Sequence, residues 1–227
     1  MRRVTEASPA GGAPSGKGRL VRRASGAASV VTIWVAVGAA PPSFHLAEPA
    51  PFHAATPPAG ATGGFGEPSC AFCHIGSDVN AFGGSVRVEG LPAAYELGRE
   101  YILTVDLRAD ETVMAGFQLA ARFQEGVTRG RSAGHLEPVD GRTAVVDSLG
   151  VGYIAQTNDG SAAHDPSGAR WTFAWQAPSD GGPVVFHVAA NSGNGDNSPL
   201  GDLVYTTEHI LPMASTAPTP DPGPPHP

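Results

Sequence analysis

Short runs of alternating apolar and polar residues fill the chain from position 84 to position 211. In residues 101–107, tyrosine, leucine, valine and leucine alternate with isoleucine, threonine and aspartate. A period of two is that of a β-strand with one buried face, and the glycine, proline, asparagine and aspartate residues between the runs are typical of turns. The pattern predicts eight or nine strands, at Ser85–Val88, Tyr101–Leu107, Ala115–Phe123, Ala133–Leu136, Thr143–Asp147, Tyr153–Gln156, Trp171–Trp175, Val184–Ala190 and Leu203–Ile210.

The fold class follows from this series of strands. No segment of useful length shows the 3.6-residue period of an amphipathic helix. The sequence therefore predicts an all-β fold, an antiparallel immunoglobulin-like sandwich over residues 84–211. Trp171, Phe173 and Trp175 fall on one face of their strand, and we expect this aromatic stripe to lie in the core.

The residues outside the predicted sandwich divide into four segments. Residues 1–40 begin basic and end in an apolar, small-residue run, which is the pattern of a signal peptide; an uncleaved N-terminal anchor is the alternative. Residues 41–68 are rich in proline, alanine and glycine, and we expect a poorly ordered linker there. Residues 69–83 form a loop around the motif described below, and residues 212–227 are a proline-rich tail that we expect to be disordered.

Charge separates the first 40 residues from the rest. They hold six of the 14 basic residues and one acid, whereas from position 41 onward eight arginines face twenty acids, a formal charge of −12. A domain this acidic is a poor ligand for nucleic acid or anionic lipid, so neither is expected as a partner. We expect an extracytoplasmic protein (periplasmic, cell-surface or secreted) that touches a membrane only if its N-terminal segment stays uncleaved.

The chain has two cysteines, and both lie in one local motif, Cys70-Ala-Phe-Cys73-His74. C-x-x-C-H is the attachment motif of c-type haem, in which both thiols form thioethers with the porphyrin vinyl groups. The histidine that follows is then placed to bind the iron. The sequence predicts haem c held by Cys70 and Cys73, with His74 as the proximal iron ligand.

Other chemistries share the C-x-x-C spacing and stay open. A local disulfide between Cys70 and Cys73, a redox-active dithiol and half of a zinc site are the alternatives. Export suits a disulfide as well as it suits haem c, so it does not separate them. A redox dithiol is the weakest alternative, because it needs a helix N-terminus in a βαβ setting, which this sequence lacks.

A haem iron held by His74 needs a second axial ligand or keeps an open site. The candidates singled out by the sequence are Met114, His164, His209 and Met213. A separate oxygen-rich run, Asn191–Asp202, has the residue types that bind Ca²⁺ but not the EF-hand spacing; a long hairpin loop is its other interpretation.

The order and spacing of several segments of the strand region resemble a reeler-type β-sandwich, in the bacterial form often catalogued as a choice-of-anchor domain. The resemblance covers about 85–211 and is carried by Leu91–Tyr101, Gly116–Leu119, Ser132–Gly134, Trp171–Pro178, Val185–Phe186, Ala189–Asn191 and Gly201–Tyr205. It implies an exported module and says little about chemistry. Bacterial relatives often place a glycine-rich C-x-x-C-H segment before the domain, as residues 62–76 do here. Relatives also often carry histidine where this chain has Gln156, so if that histidine were a distal haem ligand, this protein would need a substitute.

Two functions follow from these observations. The first is an exported monohaem c-type cytochrome-like protein that transfers electrons to an extracytoplasmic redox partner. The second is a non-enzymatic cell-surface or extracellular binding module with a local Cys70–Cys73 disulfide. No nucleophile and base are paired in the sequence, so no catalysed reaction is predicted.

Overall fold

The computed structural model describes residues 56–163 and 165–215. The predicted signal peptide, residues 41–55 of the predicted linker, His164 and residues 216–227 of the tail lie outside the described residues. Within them the regular elements are nine strands and two short 3₁₀ turns. The strands are β1 Gly84–Glu89, β2 Glu100–Ala109, β3 Met114–Phe123, β4 His135–Pro138, β5 Thr143–Ser148, β6 Val151–Gln156, β7 Gly168–Gln176, β8 Val184–Gly193 and β9 Leu203–Leu211.

The strands form two antiparallel sheets, which confirms the predicted all-β sandwich. One sheet has four strands in the order β1-β2-β7-β4, and the other has five in the order β5-β6-β3-β8-β9. In the larger sheet β8 lies between β3 and β9: Met114 of β3 pairs with Gly193, and Leu203 of β9 pairs with Ser192. The start of β3, the end of β8 and the start of β9 therefore meet at one end of the sandwich.

The core lies between the inner faces of the two sheets and is dominated by aromatic rings. Trp171, Phe173 and Trp175 are each at most 1% exposed, which confirms the predicted stripe. Phe117 of the facing sheet stacks on Trp171 with ring centroids 4.6 Å apart, and the Trp175 indole donates a hydrogen bond to the Ala133 carbonyl at 2.9 Å. The ring contact joins β3 of one sheet to β7 of the other across the core. The hydrogen bond joins β7 to the loop that precedes β4.

The outer face of the five-stranded sheet is covered by residues 58–69, which we call the strap. The backbone amides of Gly60 and Ala61 donate to Gln118 Oε1 at 2.8 and 2.6 Å, and Gln118 Nε2 donates to the Pro58 carbonyl at 2.9 Å. At Gly64 the backbone lies so close to the His187 ring that an added Cβ would be 2.4 Å from it. The structure thus differs from the sequence-based expectation here, because the C-terminal part of the predicted linker is bonded to the sheet.

A buried ion pair fixes the strap. Arg122 on β3 is 4% exposed, and its guanidinium donates to Glu67 of the strap and to the Tyr153 hydroxyl. Tyr153 in turn donates to Glu67 Oε1 at 2.5 Å, and Thr62 donates to Glu67 Oε2 at 3.0 Å. Burial, followed by the hydrogen bond to Glu67, raises the pKa of Tyr153 to about 12. The guanidinium also lies 5.3 Å from the centre of the Phe65 ring, a further strap contact.

Candidate functional site

The Cys70–His74 segment is a tight turn at the end of the strap. Cys70–Phe72 form a single 3₁₀ turn, and the Ser69 side chain accepts the Ala71 amide at 3.3 Å as its N-cap. The His74 amide donates to the Cys70 carbonyl at 2.9 Å. Apart from this turn, residues 69–83 contain no helix or strand, and the backbone hydrogen bond holds His74 against the turn.

The position of His74 is fixed by a carboxylate from the other end of the sequence. His74 Nδ1 lies 2.6 Å from Asp202 Oδ2, and the Asp202 side chain is only 4% exposed. Asp202 Oδ1 accepts the Asn194 amide at 3.2 Å. A carboxylate can only accept a hydrogen bond, so in the neutral imidazole Nδ1–H donates to Asp202 and Nε2 carries the free lone pair. Histidine ligands of metal ions use this arrangement, with one ring nitrogen donating to a carboxylate and the other binding the metal.

The segment after His74 lies along the β8–β9 connection. Ile75 pairs with Leu200: the Ile75 amide donates to the Pro199 carbonyl at 2.7 Å, and the Gly201 amide donates to the Ile75 carbonyl at 2.8 Å. Gly76 approaches this connection closely, because a Cβ there would lie 2.3 Å from the Asp202 carbonyl oxygen. The motif is consequently held on both sides, by the strap before it and by the β8–β9 connection after it.

Asn80, six residues after His74, binds the free edge of β9. Its amide donates to the Val204 carbonyl at 2.9 Å, its side-chain oxygen accepts the Thr206 amide at 2.8 Å, and its side-chain nitrogen donates to Thr206 Oγ1 at 3.2 Å. Asn80 adopts a left-handed conformation with φ of 62°, which asparagine tolerates better than most residues. A single residue thus supplies β9 with hydrogen bonds that a tenth strand would otherwise make.

The C-terminal part of the oxygen-rich run Asn191–Asp202 contacts the end of the motif, where Asp202 bonds His74 and Pro199 bonds Ile75. Residues 191–193 belong to β8, and the remaining loop is bonded within itself: Asn194 Nδ2 donates to Asp196 Oδ2 at 3.2 Å, and the Ser198 amide donates to Asp196 Oδ1 at 2.8 Å. Among the residues that the structure describes, no group of three or more histidine, cysteine, aspartate or glutamate side chains is arranged to hold a metal ion. The carboxylate oxygens of Asp202 and Asp196 are instead engaged with His74 and with the loop.

The two cysteines are unpaired. Cys70 is half-buried and Cys73 is exposed, and no disulfide joins them, so the local disulfide of the second predicted function is absent from this structure. Burial raises the pKa of the Cys70 thiol to about 12. Redox-active dithiols depend on a lowered pKa at a helix N-terminus, whereas Cys70 starts a single 3₁₀ turn and stays protonated at neutral pH. The structure therefore does not favour the redox-dithiol alternative.

Exposed apolar side chains, which we call the apolar rim, lie at the same end of the sandwich as the His74–Asp202 pair. Five large apolar side chains form it, each between 37% and 78% exposed: Phe72, Ile75, Val113, Met114 and Leu200. Ile75 pairs with Leu200, and Val113 packs against Gly195 of the β8–β9 connection. Exposed apolar side chains grouped at one end of a domain are a candidate surface for a ligand or partner.

The structure brings one of the candidate distal ligands to this end and places two elsewhere. Met114 pairs with Gly193, next to Asp202. His209 lies six positions after Leu203 in β9, roughly 20 Å along the strand at 3.3 Å per residue. Met213 pairs with Tyr95 and its sulfur lies against Gly181, beyond the far end of β9. Neither His209 nor Met213 is therefore near His74, and His164 lies outside the described residues.

Sequence reasoning missed two features of the site. Asp202 was included only in a run considered for Ca²⁺, because its pairing with His74 spans 128 positions. Arg122 was overlooked although it interrupts the buried strand β3, and a charged residue at such a position requires a partner.

Gln156, where relatives carry histidine, accepts the Phe117 amide at 2.8 Å and flanks Gly116, two positions from Met114.

No family model and no curated protein matches the chain. Among solved structures it is similar to the Reelin-N domain of F-spondin, with 20% identity, coverage of 64% of this chain and 96% of that one, and a TM-score of 0.44. It is also similar to the human F-spondin reeler domain, with 21% identity, coverage of 61% and 94%, and a TM-score of 0.43. A cohesin module from a Clostridium perfringens family 33 glycoside hydrolase matches at 11% identity, with coverage of 59% and 98% and a TM-score of 0.40. The two-sheet architecture described above rests on this chain's own hydrogen-bond ladders and not on these similarities.

Proposed function

We propose that the protein is a non-enzymatic β-sandwich binding module whose ligand is haem, attached at the end of the sandwich formed by Cys70–His74 and Asp202. The observation that carries the proposal is the 2.6 Å contact between His74 Nδ1 and a buried carboxylate, which in the neutral ring leaves the Nε2 lone pair for an iron ion. A histidine without this partner, in a motif on a mobile loop, would support the haem interpretation much less.

The residues present fit covalently attached haem. Attachment adds each S–H bond across one vinyl C=C bond: the sulfur bonds to the carbon next to the porphyrin ring, the hydrogen goes to the outer carbon, and nothing is lost. The reaction needs two thiols that are not joined to each other, and Cys70 and Cys73 are both free. The exposed Phe72 ring and the aliphatic chains of the apolar rim offer a surface for the porphyrin, whose faces are apolar.

The chain's own groups would determine how such a haem behaves. When bound, haem supplies a one-electron redox couple. Asp202 accepts a hydrogen bond from His74 Nδ1–H, which would make the imidazole a more basic ligand, favour the oxidised iron and lower the reduction potential. The strap is bonded to the sheet before the motif, and Ile75 is bonded to the β8–β9 connection after it. Together with the hydrogen bond to Asp202, these contacts hold the His74 ring in one orientation.

The physiological role proposed on this basis is electron transfer outside the cytoplasm. The predicted signal peptide and the thioether chemistry, which takes place outside the cytoplasm, support this location. The acidic charge from position 41 onward suits a redox partner with a basic surface. Among the described residues, no helix is long and apolar enough to cross a membrane.

The apolar rim favours a second candidate, a module that binds another protein without haem. Phe72 is 78% exposed and Ile75 is 62% exposed, and side chains of this type anchor protein interfaces. In this case His74 and Asp202 would only fix the loop that presents the rim. Both candidates use the apolar rim. They differ in whether the Cys70 and Cys73 thiols are bonded to haem or remain free.

The test is a pyridine haemochrome spectrum of the full chain, exported from a host that has the haem-attachment machinery. The Cys70→Ser/Cys73→Ser double variant is the control, with circular dichroism to show that it keeps the β-sandwich. We expect a covalent c-type spectrum with one haem per chain that the double variant lacks. A folded, colourless protein with two titratable thiols would refute the haem proposal and leave the protein-binding module.

A further inference from the structure

A groove lies beside the strap on the outer face of the five-stranded sheet. It contains a cavity of about 510 Å³, and small-molecule sites have volumes of about 300–1,000 Å³. The lining comes from strap residues between 62 and 69, from Val79 after the motif, from His187 of β8 and from residues 206–208 of β9. A second cavity of about 380 Å³ adjoins the first, because Gly63, His187 and Glu208 line both. The two cavities together form the groove.

The groove exists because the strap covers β8 and leaves β9 open. His187 and Glu208 are paired neighbours on these strands, and both belong to the outer face, since Phe186 and Val188 beside His187 belong to the core. Gly64 of the strap lies on the His187 ring, where an added Cβ would be 2.4 Å away. The His187 side chain is accordingly 13% exposed, whereas that of Glu208 is 57% exposed. The Glu208 carboxylate is thus open to a ligand in the groove.

The His187–Glu208 pair leaves two hydrogen-bond acceptors over. His187 Nε2 lies 2.9 Å from Glu208 Oε2, and a carboxylate can only accept, so Nε2 is the donor in the neutral ring and Nδ1 is an acceptor. Nδ1 is buried and has no hydrogen-bond partner among the described residues. A buried acceptor of this kind is a point at which a bound hydroxyl group is expected. The contact also engages one Glu208 oxygen, which leaves the other oxygen for a ligand.

Hydroxyl groups that line the groove supply donors. Ser69 Oγ accepts the Ala71 amide at 3.3 Å, and Thr206 Oγ1 accepts from the Asn80 side-chain nitrogen at 3.2 Å. Because both oxygens act as acceptors in these bonds, each hydroxyl keeps its proton for donation to a ligand. The groove therefore presents donors and acceptors together, which is the pattern that complements a ligand carrying several hydroxyl groups.

The charges at the larger cavity favour an uncharged ligand. Its lining contains no lysine or arginine, so an anion has no counter-charge there. Glu67 also lines it, but this carboxylate is already paired with Arg122. Glu208 is the remaining carboxylate of the lining, and a cation gains little from one largely exposed charge. Neither sign of charge is selected, and hydrogen bonding is left to determine the ligand.

We propose that the groove binds an uncharged saccharide, with one sugar hydroxyl donating to Glu208 and others accepting from Ser69 and Thr206. A sugar hydroxyl donates one hydrogen bond and accepts two, which matches the mixture of groups in the groove. Val79, which is 40% exposed, offers an apolar surface for the C–H face of a sugar ring. The site does not use the Cys70 and Cys73 thiols, so it does not depend on the proposed haem attachment.

The experiment follows the backbone amide chemical shifts of the isotopically labelled full-length protein during titration with cellobiose, maltose and diacetylchitobiose. At least one of these neutral disaccharides is expected to shift the amides of Ser69 and residues 206–208. Glu208→Gln keeps the side-chain shape and an acceptor for His187, and it should weaken binding about tenfold, the loss of one hydrogen bond to a charged group. Glu137→Gln is the matched control, because Glu137 is an exposed glutamate of β4 in the other sheet; it should bind as the wild type does.

A second variant tests the place of binding without changing charge. Val79→Trp puts a bulky ring into the groove and is expected to abolish binding, and unchanged amide shifts outside the groove would show that it is folded. The proposal is overturned if none of the three disaccharides shifts the groove amides, or if Glu208→Gln and Glu137→Gln bind equally well. Tighter binding of glucosamine or glucuronate than of the neutral sugars would overturn the assignment of an uncharged ligand.

Discussion

The buried pair between Arg122 and Glu67 leads to an asymmetric prediction for stability. The Arg122 side chain is 5% exposed and belongs to a central strand, whereas the Glu67 side chain is 19% exposed and belongs to the strap. Arg122 Nε has no hydrogen-bond partner among the described residues, so this guanidinium depends strongly on its remaining contacts. Truncating each partner therefore leaves the other in a different environment.

Glu67→Ala leaves a charged guanidinium buried in the sheet with only the Tyr153 hydroxyl and aromatic rings around it. Breaking a buried pair by removing one partner typically costs 3–5 kcal/mol, and we expect about 3 kcal/mol because Tyr153 remains. Arg122→Met instead removes the buried charge, and the Glu67 carboxylate can turn outward into water with the strap. We expect Arg122→Met to change the free energy of unfolding by no more than about 1 kcal/mol.

Urea unfolding of the two single variants and of the double variant measures both effects and their coupling. Glu96→Ala is the control, because the Glu96–Arg99 pair has side chains that are 61% and 55% exposed; its loss is expected to cost less than about 0.5 kcal/mol. The double variant is expected to resemble Arg122→Met. A larger cost for Arg122→Met than for Glu67→Ala, or a Glu67→Ala cost no greater than that of Glu96→Ala, would refute the reasoning.

Three further predictions concern single side chains. Tyr153 has its pKa raised from 10 to about 12, so the unfolded chain loses this proton first as pH rises; the free energy of unfolding should fall between pH 10 and 12, and by less in Tyr153→Phe, as measured by urea unfolding across that range. An equal fall in both proteins would contradict this assignment. Trp175→Phe removes the indole donor to Ala133 and leaves a cavity in a fully buried site; we expect a loss of about 2 kcal/mol, and an unchanged urea midpoint would count against it. Asp202→Asn should raise the reduction potential of the haem-loaded protein without loss of covalent haem, because the His74 ring becomes a less basic ligand; redox titration measures it, and an unchanged or lower potential would oppose this role for Asp202.

The strands could be predicted because each one carries its own signal. All nine predicted strands are present, with ends shifted by a few residues. The largest differences are at β7, which begins at Gly168 where Trp171 was predicted, and at β8, which continues to Gly193. β4 is His135–Pro138 where Ala133–Leu136 was predicted. Period-two alternation and turn residues are local properties, so one sequence reveals them. The division into two sheets depends on pairing between distant strands and did not follow from the pattern.

The strap and the partner of His74 could not be predicted for the same reason. Residues 58–69 have the composition of a linker. They are ordered by hydrogen bonds to Gln118, Arg122 and Tyr153 of the sheet, which lie 60, 55 and 86 positions from their strap partners. A composition rule describes the segment alone and takes no account of the surface it meets. The motif Cys70–His74 was found because it is local, whereas Asp202 was not assigned to it because that contact closes a loop of 128 residues.

The position of Asn80 has a consequence for association between molecules. β9 is an edge strand, and an edge with free amides and carbonyls is a template on which a second copy can add a strand and begin an aggregate. Asn80 occupies the Val204 carbonyl and the Thr206 amide, two of the groups that such a strand would need. Its left-handed backbone then turns the chain away, so the sheet is not extended at this point. The segment that follows the histidine motif thereby protects a β-rich protein from edge-to-edge association.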